Sequence, residues 1–153
     1  MNSEPSPYSA DSALIDALSD GAVPVSCPED VVLFRQGEEC AGVFILKTGQ
    51  ATLEMLSDTG EVVARFATGD GSLLGLPAVF SDEKYSLTAV AQQGSNVSFV
   101  ERGRFLDLMK SNPAFYLKVL QVIAAETRAA RAALVDVLSR QQRPRRSGNG
   151  SII

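Results

Sequence analysis

The 153-residue sequence has no histidine, no tryptophan and only two cysteines. Without histidine there is no Ser-His-Asp or Cys-His catalytic unit, no His-ligated metal or haem, and no imidazole switch near neutral pH. Two cysteines, Cys27 and Cys40, cannot supply a four-thiolate zinc or iron–sulfur site within one chain. A single disulfide and two small core residues both remain open for them. No apolar run approaches the roughly 18 residues of a membrane span, and the start Met-Asn-Ser-Glu-Pro lacks the basic and apolar regions of a secretory signal. The expected location is therefore the cytoplasm, without membrane association.

What is present describes one domain. The chain is 45% hydrophobic, enough to bury a substantial core at this length. Its net charge of −4 hides an asymmetry. Residues 1–100 carry four basic groups against fourteen acidic ones, whereas residues 101–153 carry ten against four. The pattern of hydrophobic residues changes at the same place.

Residues 1–8, rich in Pro, Ser and Glu, are expected to be disordered. Ala10, Ala13, Leu14, Ala17 and Leu18 then predict a short amphipathic helix over 9–19, with Ser9 as its N-cap. Short β-branched and aromatic runs follow, at 31–34, 42–46, 51–56, 62–66, 87–91 and 97–100. Turn signals separate them, among them Gln36-Gly37-Glu38, Lys47-Thr48-Gly49-Gln50 and Asp58-Thr59-Gly60-Glu61. Regular short strands of this kind predict a sandwich, barrel or jelly roll. After Val100 the period becomes helical. Phe105, Leu108 and Met109 share one helix face, and Asn112-Pro113 is expected to cap and open a second helix reaching about Arg140. That helix would be about 42 Å long. The fold class is thus mainly β with flanking helices (α+β): a sandwich, barrel or jelly roll over 9–140 with a long C-terminal helix. A flexible basic tail, 141–153, completes the chain.

Along the long helix, Leu120, Ile123, Thr127, Ala130, Leu134 and Val137 are spaced 3, 4, 3, 4, 3, an a/d heptad pattern. The same residues could pack back on the β-body, but a helix of this length exceeds what so small a body covers. A parallel homodimer seam is the expectation.

Strands with glycine turns, a short helix and a long helix, in that order, resemble the sensor domain of the Crp/Fnr regulators. The similarity covers about residues 10–140. It rests on Phe34-Arg35-Gln36-Gly37-Glu38, on Val43-Phe44-Ile45-Leu46-Lys47-Thr48-Gly49 and on Asn112-Pro113. The resemblance implies a double-stranded β-helix, or jelly roll, in a cyclic nucleotide-binding-like domain acting in signal transduction and transcription regulation, not an enzyme. A cupin-like metalloenzyme, the enzyme class that jelly rolls also host, is disfavoured by the missing histidines.

The family's phosphate-binding cassette would correspond to residues 73–89. In members that bind cyclic nucleotides, Gly-Glu opens a short helix, and Arg-Ser or Arg-Thr follows it. Helix amides and the arginine hold the cyclic phosphate, while the glutamate takes the ribose hydroxyl. Here Gly75 and Ser86 match, but Leu76 stands at the glutamate position and Tyr85 at the arginine position. The ligand-facing residues carried over are Gly75, Leu76, Pro77, Ala78, Lys84, Tyr85 and Ser86, with Arg131 from the long helix. Lys84 and Arg131 have solvated positions as their plain alternative, and Leu76 and Tyr85 are expected to fill the pocket. No resident cofactor is implied, and the effector would be a cyclic nucleotide or another small anion, bound weakly if at all. The family's DNA-reading domain would follow the long helix. The arginines at 140, 143, 145 and 146 specify no base sequence, so this chain alone is not expected to read DNA. A homodimer, another regulatory protein or a ligand-free interaction role are the partner expectations.

Overall fold

Alternating and fully apolar runs between glycine turns fold into two four-stranded antiparallel sheets. The computed structural model describes residues 9–81 and 83–142, without the side chains of 137, 141 and 142. The elements in chain order are α1 (Ser12–Ser19), β1 (Val23–Val25), β2 (Val31–Phe34), β3 (Gly42–Thr48), β4 (Ala51–Leu56), β5 (Val62–Thr68) and β6 (Ser72–Leu74). There follow α2 (Leu76–Ser81), β7 (Thr88–Ala91), β8 (Asn96–Glu101), α3 (Arg102–Ser111) and α4 (Ala114–Gln142). One sheet has the order β1-β8-β3-β6, the other β2-β7-β4-β5. Strands distant in sequence are therefore neighbours, as a jelly roll requires.

Two apolar clusters hold this arrangement. Cys27, Phe34, Leu46, Leu53, Leu74, Tyr85, Ala89 and Val97 form the cluster contributed by both sheets. In the second, Leu14 and Leu18 of α1, Val43 and Ile45 of β3, Leu76 and Val79 of α2, Phe105 and Met109 of α3 and Val119 and Val122 of α4 meet. α1, α2 and α3 thus pack against the β1-β8-β3-β6 sheet, and α4 joins the same cluster while also meeting α2 and β5. The β3–β4 reversal depends on Gly49 at φ 115°, because a Cβ there would lie 2.3 Å from Ser95 Oγ. Both cysteines are free thiols, Cys27 buried and Cys40 partly so. Among the described residues no helix is long and apolar enough to cross a membrane.

The structure revises several expected boundaries. Asp11, not Ser9, caps α1: its carboxylate accepts the N–H groups of Ala13 and Leu14 at 2.8 and 3.3 Å. It also pairs with Lys118 at 2.9 Å, fastening α1 to α4. A carboxylate serving both the helix amides and an ammonium is the stronger acceptor, and Ser9 instead bridges to Ser72 of β6. Asn112 does not cap the last helix through its side chain, which reaches back to the Leu108 carbonyl of α3. Its own carbonyl accepts the Phe115 N–H, and α4 begins at Ala114. At the far end α4 continues through Gln142, two residues past the expected limit. Residues 1–8, Arg143, Arg145 and Arg146 lie outside the described residues.

Phe105 is fully buried where α3 meets the helical cluster. Phe105→Ala is expected to cost about 3–5 kcal/mol, measured by urea unfolding, and Phe105→Leu distinctly less. A loss below about 1 kcal/mol for the alanine variant would mean that this cluster does not anchor the helices.

Candidate functional site

The cassette begins where β6 ends. Gly75 takes φ 95°, and a Cβ there would stand 3.0 Å from a Tyr85 ring carbon and 3.2 Å from the Gly42 carbonyl. Only glycine fits that turn without strain. It delivers the chain into α2, whose first three residues are Leu76, Pro77 and Ala78. Leu76 is buried among α1, α2 and α3 and does not line the cavity beside Gly75, so it does not fill the pocket from inside as expected. An apolar side chain at that position turns into the helical cluster, where it meets other apolar atoms. Pro77 stays exposed at the rim, and Ala78 is buried between the sheets' residues.

Tyr85 holds the middle of the site. It is 4% exposed and stacks on Phe34, with ring centroids 4.0 Å apart and planes 18° from parallel. Its hydroxyl donates to the Gly42 carbonyl at 2.7 Å and accepts the Gly42 N–H at 3.2 Å. Both capacities of the phenol are committed to one backbone residue. Burial, outweighing those backbone bonds, pushes the phenol up to about 12. The backbone of the same residue is tied as well: Tyr85 N–H donates to the Glu38 carbonyl, and Gly37 N–H donates to the Tyr85 carbonyl.

The two cations carried over from the family do not reach the cavity. Lys84 is exposed and faces the Glu39 carboxylate at 4.0 Å. Arg131 is exposed on α4 and does not line the cavity. Ser86, also exposed, stands at the cavity edge. The residue that α4 does place there is Glu126, which sequence reasoning missed. It is 8% exposed, and its Oε2 has no hydrogen-bond partner among the described residues. Burial drives its carboxyl from an ordinary value of 4.5 up to about 8. A signal for it existed: Val119, Val122 and Glu126 are spaced i, i+3, i+7, so the glutamate continues the buried stripe of the helix.

Phe34, Leu53, Gly75, Tyr85, Ser86 and Glu126 surround a space of only ≈ 20 Å³. That admits about one water-sized group, against the roughly 300–1,000 Å³ of an ordinary small-molecule site. A larger hollow of ≈ 450 Å³ lies between α1 and α3, beside Leu18, Asp20, Arg104 and Asp107. It shares no residue with the cassette. Among the described residues no group of three or more His, Cys, Asp or Glu side chains converges as a metal site would require.

The expected dimer stripe divides. Leu120 and Leu134 are 56% and 52% exposed, and Thr127 is exposed beside them. Ile123 and Ala130 are half-buried, Ile123 packing on the helical cluster within the same chain. The Val137 side chain lies outside the described residues. Leu117, Val135 and Leu138 extend the exposed apolar surface.

A carboxyl raised in the folded state makes stability depend on pH in a defined direction. Its contribution is complete below the unfolded value of 4.5, where both states are protonated, and is lost as pH rises through about 8. Glu126→Gln should therefore remove a decline in stability between those limits. Urea midpoints of the two proteins should diverge with rising pH, the glutamine variant becoming relatively more stable. Parallel curves would show that Glu126 ionises freely.

Residues 24–112 match the family profile described as the cyclic nucleotide-binding domain. No curated protein matches the sequence. Among solved structures, the Thermus thermophilus catabolite activator protein superposes with TM-score 0.66 at 23% identity, over 85% of this chain and 60% of that one. The sensor domain of the transcriptional regulator DNR from Pseudomonas aeruginosa gives 0.57 at 17% identity, over 90% and 86%. The c-di-GMP responsive global regulator CLP of Xanthomonas campestris gives 0.61 at 15%, over 87% and 64%. The chain thus spans about 60% of the length of the catabolite activator it resembles. These likenesses establish the jelly roll with its trailing helix, and the profile match covers more than half of the sequence: the chain belongs to the cyclic nucleotide-binding domain family.

Proposed function

We propose that this domain is a non-enzymatic sensor or regulatory module of the Crp/Fnr kind, in which cyclic AMP and cyclic GMP are not bound tightly. One observation carries the reading. The position that would supply the phosphate-binding arginine holds Tyr85, whose ring and hydroxyl are both engaged inside the protein. A bidentate arginine and a ribose-binding carboxylate are each worth about 1.5–3 kcal/mol. Their joint loss weakens binding by about 10²–10⁴-fold. The remaining cavity, ≈ 20 Å³, is lined by a glutamate and, among the described residues, by no Lys or Arg.

Titration calorimetry of the full chain with cyclic AMP and cyclic GMP should show no saturation in the micromolar range. Low-micromolar affinity for either would overturn the reading. The fold itself is not tied to those nucleotides, since the similar Xanthomonas regulator is described as responsive to c-di-GMP.

The second part of the proposal concerns α4. Leu117, Leu120, Leu134, Val135 and Leu138 form an exposed apolar surface on a helix of 29 residues, about 43 Å long. A second copy of the same helix, paired in parallel, covers that surface as a coiled-coil seam. The module then works in the cytoplasm as a homodimer, transmitting a change at the cassette through the helix pair. Sedimentation equilibrium should give a dimer at tens of micromolar, and a double change Leu120→Glu, Leu134→Glu should give a folded monomer. A monomeric parent protein at that concentration would refute the seam.

A further inference from the structure

The carboxylate in the cassette cavity calls for a ligand of opposite charge to the family's usual one. We propose that the cavity between α4 and the cassette takes the ammonium head of a primary amine, held by Glu126. The inference deepens the reading above and rests on it, since a cavity that held a cyclic phosphate could not also serve here.

Four observations support it. Glu126 is more than nine-tenths buried, lines the cavity, and has a carboxyl oxygen, Oε2, without a hydrogen-bond partner among the described residues. Such a group is costly unless it meets a donor, and costlier still when ionised unless it meets a charge. The space before it, ≈ 20 Å³, accepts a group the size of water or of an –NH₃⁺ head. A planar guanidinium or a quaternary ammonium is too large. The Phe34 and Tyr85 rings line the same space and supply no charge, so an ionised carboxyl there finds its counter-charge only in a guest. The protein offers no internal substitute: among the described residues lining the cavity there is no Lys or Arg, and the Tyr85 hydroxyl is occupied by Gly42.

The titratable groups around the cavity are Glu126 from α4 and Tyr85 from the segment before β7. Lys84, next to Tyr85, turns outward to Glu39, and α2 contributes only Pro77 and Ala78. A bound ammonium therefore meets one carboxylate and no competing cation. The alkyl body of the amine leaves past Ser86 and Leu87, which line the space together with the exposed Pro77. Because the carboxylate belongs to α4 and the other walls belong to the β-body, occupation ties the two together. An ionised but unpaired Glu126 loosens them.

Methylammonium and ethanolamine chlorides should be titrated into the full chain at about pH 7 and about pH 9, with heat and thermal unfolding as readouts. Sodium and tetramethylammonium chlorides at equal ionic strength serve as controls, and cyclic AMP is titrated in parallel. Binding must exchange the carboxyl proton for the amine, so affinity should rise about tenfold across that interval. Glu126→Gln and Glu126→Leu should abolish it, and the leucine variant, which removes the buried carboxyl, should unfold no earlier than the parent. Absence of saturable amine binding at both pH values overturns the proposal, as does equal binding by either variant or an equal response to tetramethylammonium. Silence from both amine and cyclic AMP defeats the amine proposal alone. Tight cyclic AMP binding defeats the functional reading and the amine proposal together.

Discussion

The anchoring of Tyr85 is the constraint on which the rest of the site depends. Its ring lies flat against Phe34 of β2, and its hydroxyl engages both backbone groups of Gly42, the first residue of β3. β2 and β3 belong to different sheets, so one side chain links both to the segment between α2 and β7. Two backbone bonds to Gly37 and Glu38 hold the same residue from the other side. Gly75 favours glycine in turn, because the chain bends there at φ 95° and a Cβ would stand only 3.0 Å from the Tyr85 ring. The small cavity follows directly: with an aromatic ring packed inward where a cationic fork would reach outward, the space closes to the size of a water molecule.

The last helix has two faces with different work. Its inner face, Val119, Val122 and Glu126, closes over the helical cluster and the cassette. Its outer face carries leucines that this chain leaves in solvent. The Asp11–Lys118 pair and the α3–α4 turn fix the start of the helix to the body. Below that anchor the helix meets α2 and β5, so a change at Glu126 is positioned to alter the direction of everything beyond it. Among the described residues Glu126 is the last buried residue of that face, so the helix beyond it is half-buried or exposed.

Much of this was legible in the sequence, and the exceptions have physical reasons. The alternating runs read directly as β4 and β5, where Leu53 faces Phe66 inward and Glu54 pairs with Arg65 outward. The long helix was legible from its period. β6 was not, because Ser72, Leu73 and Leu74 are all buried and a three-residue strand without alternation carries no pattern. Asp11 lost to Ser9 as expected cap because sequence cannot show that Lys118, more than a hundred positions away, would pair with its carboxylate. Glu126 escaped for a related reason. The heptad through Leu120, Thr127 and Leu134 selects the outer face, and the i, i+3, i+7 spacing of Val119, Val122 and Glu126 on the inner face does not by itself say which stripe the β-body covers.

Two features of the site make sense together: Tyr85 at the arginine position of the resemblance and Glu126 of α4 in the same cavity. A carboxylate buried beside an arginine and a bound phosphate would compete with the phosphate for that arginine. Once tyrosine replaces the arginine, no cation lines the cavity among the described residues, and a glutamate there keeps its proton or acquires an external partner. Loss of the cation and presence of the acid therefore point one way, toward a site whose preferred guest is a hydrogen-bond donor. The acidic β-body reinforces the direction, since residues 1–100 carry a large excess of negative charge and repel approaching anions.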